Sequence, residues 1–273
     1  MRRVLLTGAT GFVGRHVLRT LLERGETVRA ITRKPLDAAP AAVKQVTVDD
    51  LFAASGATLA EACAGTDTII HCAWYAEPGE YLHSPRNLAC LRGTLAFAEA
   101  ARQAKVGRFV GIGTCFEYAM SAEPLPVAAP LDPKTPYASA KAAAFIALAG
   151  NLPPSAFAWC RLFYLFGEGE DERRFVAYVR RQLSRGEPVE LTAGTQVRDF
   201  LNVAEAARQI VEIALSDFSG PANICSGRPQ TIRAMAENIA DEYGRRDLLR
   251  FGARPENSVD PPFVVGVPTL SEG

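Results

Sequence analysis

The first apolar positions of the chain, Val4-Leu5-Leu6, are consecutive; the next, Phe12, Val13, Val17, Leu18, Leu21 and Leu22, recur three and four apart. A short unbroken apolar run reads as a buried strand, and the three-and-four spacing as a helix with one apolar face. Arg24-Gly25 closes that helix with a basic last turn and a glycine. The alternation then repeats, predicting strands over 27–32, 44–48, 67–73, 108–112 and 157–166, and helices over 58–64, 87–104 and 137–148. Strands and helices in this rhythm imply an α/β fold, a doubly wound parallel sheet with right-handed crossovers. Beyond 166 the rhythm loosens into helices over 172–185, 203–215 and 231–243, a strand-like 189–191, an extended 196–202 and the segment 222–225. The expected organisation is a main domain over 1–165 and a smaller α/β lobe over 166–273, with some of its elements returning to the main sheet.

Composition narrows the class. The chain has 273 residues, 48% of them hydrophobic, enough for a substantial core. Lys+Arg and Asp+Glu are both 30, so no charge excess points to nucleic acid or an anionic membrane. Six scattered cysteines include no C-x-x-C pair, which argues against metal and redox motifs and for reduced thiols. Arg2-Arg3 precedes too few apolar residues for a signal sequence, and no segment reaches membrane-spanning length. A cytoplasmic protein is expected. Of the three histidines, His16 is expected solvated on the first helix, His71 a satisfied core histidine and His83 a loop residue.

Candidate chemistry begins between the first strand and helix. Gly8, Gly11 and Gly14 stand at G-x-x-G-x-x-G spacing, the context of a dinucleotide fingerprint. Gly8 permits the tight turn, Gly11 lets backbone approach a pyrophosphate, and Gly14 lets the helix sit close on the strand. The helix N-terminus then offers free N–H groups to the phosphates. The second strand ends in Thr32-Arg33-Lys34 rather than in the acid that takes both ribose hydroxyls of NAD. Two cations there suit the 2′-phosphate of NADP, or are simply solvated. After the third strand, a carboxylate of Asp49-Asp50-Leu51 is placed to reach an adenine amine. Thr7-Gly8, Thr32-Arg33, Ala73-Trp74 and Thr114 all fall at the carboxyl edge, where such sheets bind ligands. Pro124, Pro126, Pro130, Pro133 and Pro136 make a stiff loop over that edge. Tyr137 and Lys141 then stand one turn apart on one helical face. A nearby ammonium lowers the pKa of a phenol, the shift that general acid–base work needs. Thr114 is placed to hold a substrate oxygen beside that phenol. An isolated Y-x-x-x-K is otherwise an ordinary surface pair; its place beyond the fifth strand makes it a candidate.

These motifs, T-G-A-T-G-F-V-G at 7–14, G-T-C-F-E-Y from Gly113, Y-A-S-A-K at 137–141, R-L-F-Y-L-F-G at 161–167 and R-D-F-L-N-V at 198–203, resemble the extended short-chain dehydrogenase/reductases over nearly the whole chain. The resemblance implies a Rossmann-type domain with a smaller substrate lobe and, mostly, action on nucleotide-diphosphate sugars as epimerase, dehydratase or ketoreductase. It makes Tyr137 the catalytic acid/base, Lys141 its partner and Thr114 the Ser/Thr of the set. The cofactor contacts it implies are Gly8, Thr10, Gly11, Phe12, Val13, Gly14, Arg33, Lys34, Asp50, Leu51, Cys72, Ala73, Ile112, Tyr137, Lys141 and Phe163. Arg198 matches the arginine that holds the substrate diphosphate, and Arg254 is a looser second match; Arg198 is otherwise a strand-edge cation. Glu117 either contacts sugar hydroxyls or is a buried structural acid. Trp74 and Tyr75 either wall the pocket or merely pack. Homodimerisation through helices 87–104 and 137–150 is also implied.

Departures from the pattern narrow the reaction. The 4,6-dehydratases carry an Asp-Glu pair just after the Thr, and here Cys115 and Phe116 stand in its place. The asparagine of R-x-x-N is replaced by Tyr164, so the sugar pocket differs. The expected reaction is NADPH-dependent reduction of a nucleotide-linked 4-keto-6-deoxyhexose, like that of the synthases that set the C4 hydroxyl of abequose or paratose, with NAD possible as cofactor. The alternatives are a sugar-nucleotide 4-epimerase with tightly bound NAD and a nucleotide-sensing regulator without turnover.

Overall fold

A computed structural model describes residues 1–35, 42–256 and 260–270. Seven parallel strands form the main sheet: β1 (Arg3–Thr7), β2 (Thr27–Thr32), β3 (Val43–Thr47), β4 (Thr68–His71), β5 (Arg108–Thr114), β6 (Phe157–Leu162) and, from far along the chain, β10 (Gly220–Ile224). Their order is β10-β6-β5-β4-β1-β2-β3, so the order in which the chain lays down parallel strands reverses between β1 and β4. Helices α1 (Phe12–Glu23), α2 (Gly56–Cys63), α3 (Arg86–Gln103), α4 (Pro136–Asn151), α5 (Phe175–Arg185), α6 (Val203–Leu215) and α7 (Ile232–Glu242) follow in chain order. On one face α1 packs against α6; on the other α3 lies between α2 and α4. Each face is apolar: Val17, Leu21, Ile210 and Val211 bury one, and Leu59, Phe97, Leu148 and Trp159 the other. This is the Rossmann-type α/β fold. The strands are apolar on both sides because both faces are covered.

The smaller lobe is built on β9 (Val197–Asn202), which pairs antiparallel with β11 (Pro229–Thr231) and parallel with β7 (Tyr164–Phe166) and β13 (Phe263–Val264). Beside it β8 (Val189–Leu191) pairs with β12 (Leu249–Phe251). Its core gathers Val176, Val179 and Leu183 of α5 with Met235, Ala236 and Ile239 of α7. Asp199, fully buried in β9, accepts hydrogen bonds from Ser226 N and Oγ, Gly227 N and Gly266 N at 2.7, 2.7, 2.8 and 3.2 Å.

Several expectations need correction. The strand expected over 157–166 is two strands in two sheets, because Phe163 turns its ring into a cluster with Cys115, Leu125, Cys225 and Val264 and carries the chain out of the main sheet. The strand expected to end at Ile112 continues to Thr114. The α5 helix begins at Phe175, after residues 172–174. His16 is buried, with Nε2 2.8 Å from the Glu168 carbonyl. His71 is the expected core histidine, with Nδ1 2.8 Å from Thr7 Oγ1 and Nε2 2.9 Å from Thr94 Oγ1. Among the described residues no helix is long and apolar enough to cross a membrane, and no His, Cys, Asp or Glu cluster has metal-holding geometry.

Candidate active site

A cavity of about 1140 Å³ runs along the carboxyl edge of the main sheet, across the point where the strand order reverses. Its first wall is the β1–α1 turn. Gly8 has φ +72°, and a Cβ there would meet Ala73 N at 2.8 Å; a Cβ on Gly14 would meet Gly8 O at 2.0 Å. Only glycine fits either position. Gly11 caps α1 without a side chain and no acid stands in the first turn, leaving the helix N-terminus for an anionic ligand. These features fit a dinucleotide. Gly8, Thr10, Gly11, Phe12, Val13, Gly14, Arg33, Asp50, Leu51, Cys72, Ala73, Ile112 and Phe163 all line the cavity. Lys34 is exposed outside it. Asp50 Oδ1 accepts from Phe52 N at 2.9 Å, which fixes the loop after β3.

The reaction-centre candidates meet midway along the cavity. Thr114 ends β5, and Tyr137 and Lys141 project from the first turns of α4, whose Thr135 cap accepts from Ala138 N at 3.2 Å. Thr114, Tyr137 and Lys141 all line the space. The expected lowering of the phenol pKa is absent. Burial pushes Tyr137 well above its ordinary value, Tyr81, Glu117 and Cys115 push the same way, and only the Thr114 hydroxyl pulls back. Lys141, 3% exposed, is drawn down to about 7 by burial. Its Nζ donates to Ile112 O at 2.6 Å and lies 3.8 Å from the centre of the Trp74 ring. Trp74 and Tyr75 both line the cavity, and the edge of Trp74 meets Tyr137 with centroids 6.4 Å apart.

Other expected substrate residues divide. Tyr164 lines the cavity, with its hydroxyl buried and without a hydrogen-bond partner among the described residues and its ring perpendicular to that of Phe116. Glu117 does not reach the cavity: it is fully buried, accepts from Thr114 N at 2.8 Å and Trp159 Nε1 at 3.0 Å, and pairs with Arg161 Nε at 2.8 Å. It is a buried structural acid, its carboxylate already accepting from backbone, indole and guanidinium. Arg198 is also buried, pairing with Asp260 at 2.8 Å and lying over the outer face of Tyr164, one ring behind the cavity wall. Arg254 is exposed and stacks on Tyr178 of α5, outside the cavity lining. Among the lining residues that escaped the sequence reading are Tyr81, whose ring is 4.8 Å from that of Tyr137, and the arginines Arg15, Arg86 and Arg174. The aromatic density of Trp74, Tyr75 and Tyr81 just past a strand end was the available signal for the first.

The model of the NAD dependent epimerase/dehydratase family matches residues 4–225. The chain belongs to that family. It is thus an oxidoreductase or epimerase of the extended short-chain dehydrogenase/reductase type. The dTDP-6-deoxy-L-talose 4-dehydrogenase (NAD(+)) of Aggregatibacter actinomycetemcomitans is 26% identical over 270 residues, covering 96% of this chain and 98% of the relative. Among solved structures, MoeE5 in complex with UDP-glucose and NAD is 27% identical with a TM-score of 0.82, covering 98% of this chain and 90% of that one. The UDP-glucose 4-epimerase of Thermus thermophilus in complex with NAD is 25% identical with a TM-score of 0.80, covering 97% and 90%.

Proposed function

We propose that this family member reduces the 4-keto group of a nucleotide-diphosphate 4-keto-6-deoxyhexose. The observation that carries the reading is that Thr114, Tyr137 and Lys141 meet along the same cavity as the glycine turn of β1–α1, with burial favouring the neutral phenol of Tyr137. A neutral phenol is the form a carbonyl reduction needs at its start, because it has a proton to give to the oxygen that gains charge. When bound, the reduced nicotinamide supplies the hydride. Thr114 orients the carbonyl oxygen against Tyr137, and Lys141 supplies positive charge one helical turn away. The curated relative acts, by its name, at C4 of a 6-deoxysugar nucleotide, and it aligns over almost the full length of both chains. Water elimination is disfavoured: Cys115 is buried with its thiol pushed up to about 12, and Phe116 has no titratable group.

Arg33 at the cavity rim, with no acid at the end of β2, favours NADP as the preferred cofactor. The likeness to the Thermus epimerase supports a second reading, in which the same three residues oxidise and then reduce C4 with retained NAD. Exposed Leu88 on α3 and Ile146 on α4, helices that pack together, support homodimerisation through that face. The test is direct: purified protein given NADPH and a dTDP- or CDP-4-keto-6-deoxyhexose oxidises the cofactor and yields the C4 alcohol. Silence with such ketosugars, alongside interconversion of UDP-hexoses without cofactor consumption, selects the epimerase instead.

A further inference from the structure

Trp74 does more here than line a wall. Its ring face lies 3.8 Å from Lys141 Nζ. The indole is itself held: Nε1 donates to Asn87 Oδ1 at 2.8 Å, while Asn87 Nδ2 donates to Tyr81 O at 2.6 Å and Ser84 O at 2.9 Å. Asn87 is buried at the start of α3, so the ring hangs from a fixed bracket. The Lys141 ammonium, nearly buried on the cavity wall, donates to Ile112 O and meets the ring face on its other side. The negative face of an indole is the best aromatic partner a cation has.

We propose that Trp74 is the positioning residue of Lys141, its fixed ring face holding the ammonium in place through a cation–π contact. The proposal rests on the reading of Lys141 as part of the reaction centre. The groups that face Lys141 are His71 and Cys72 at the end of β4, Cys90 on α3, Glu117 beyond β5 and, on its own helix, Tyr137. None of them replaces the ring. Glu117 favours the ammonium through space but gives its hydrogen bonds to Thr114 N, Trp159 and Arg161; burial holds Cys72 up at about 12 and raises Cys90, and His71 stays neutral with its value drawn down to about 3. A lysine is charged below its pKa, so work done by its cation fades as pH rises through that value. Removing the ring lowers the value and moves the fade to lower pH.

Trp74 reports on this directly, since it is one of two tryptophans. The emission of the free protein is titrated between about pH 5.5 and 9.5, bracketing the depressed lysine. The difference between wild type and Trp74→Phe is expected to show a transition near neutral pH that vanishes in Lys141→Met. A flat difference signal, or a transition that survives Lys141→Met, overturns the proposal. In turnover, Trp74→Leu is expected to move the alkaline limb of the kcat–pH profile down by about one unit, and Trp74→Phe to restore most of it. Equal loss at every pH is what a merely structural wall gives, and overturns the proposal as well. If no ketosugar turns over, the emission titration still decides this inference, and the missing turnover counts against the proposed function alone.

Discussion

Two buried charged clusters flank Thr114, and they are built on opposite plans. Beneath the cavity, Glu117 takes Thr114 N, Trp159 and Arg161; Arg161 Nη1 donates to the Tyr118 hydroxyl at 2.9 Å, and Tyr118 to Asn223 Oδ1 at 2.6 Å. Asn223 Nδ2 then closes the chain on the carbonyls of Leu125 and Val267 at 2.9 and 3.1 Å. Each of these polar groups finds a partner of opposite character, and burial is tolerated for that reason. Beside the cavity, Lys141 has one carbonyl and an aromatic face, and Tyr137 is raised by burial with little to oppose it. The first cluster holds the end of β5 still. The second keeps proton-transfer capacity that the protein does not itself satisfy. Finished networks mark structure, and unfinished ones mark chemistry.

The contrast breaks most visibly at Glu117. Glu117→Ala strands Arg161 without its carboxylate, and chemical denaturation is expected to show a loss of about 3–5 kcal/mol, a large part of a domain's stability. Tyr137→Phe, on the unfinished side, is expected to leave the denaturation midpoint and cofactor affinity nearly unchanged while kcat falls by about 10²- to 10⁴-fold. Arg33→Asp is expected to shift the ratio of NADPH to NADH affinity by about tenfold toward NADH, read by fluorescence titration, as one charge-assisted contact is exchanged for repulsion. His71 gives a pH test of the finished kind. Its folded-state value is about 3 against an ordinary 6.5, so the unfolded chain binds a proton first. Stability is therefore full above about pH 6.5 and falls by about 1.4 kcal/mol per unit below it, until the folded value is reached. Denaturation midpoints measured at pH 7 and pH 5 check this. The smallest effect belongs to Arg254→Ala, which is expected to cost about 0.5–1 kcal/mol of stability through its stack on Tyr178 and to leave KM unchanged.

The glycine-turn half of the candidate site was legible because its rules are local. Strand, Gly8 turn and helix lie within two dozen residues, and the sterics that demand Gly14 act within one turn of chain. Tyr137 and Lys141 were legible for the same reason, as neighbours on one helix. What escaped reading depends on distant partners. His16 looked solvated because its acceptor, the Glu168 carbonyl, is far along the chain. Glu117 stayed ambiguous because its role is set by Arg161 and Trp159 on a different strand. The break at Phe163 is invisible in an apolar run such as 157–166, where hydrophobicity says that residues are inside but not inside which core. The fall in phenol pKa expected from Tyr–Lys spacing failed because spacing carries no information about solvent, and burial is the larger effect here.

The return of β10 to the open side of β6, with α6 laid across α1, has a practical corollary. A fragment cut at the apparent seam near residue 165 keeps the whole nucleotide cradle yet exposes a bare strand edge at β6 and the apolar flank that Ile210 and Val211 cover. Such a fragment is expected to aggregate rather than bind nucleotide. A circular permutant that carries β10 in register at that edge is the form in which the cradle is expected to survive on its own.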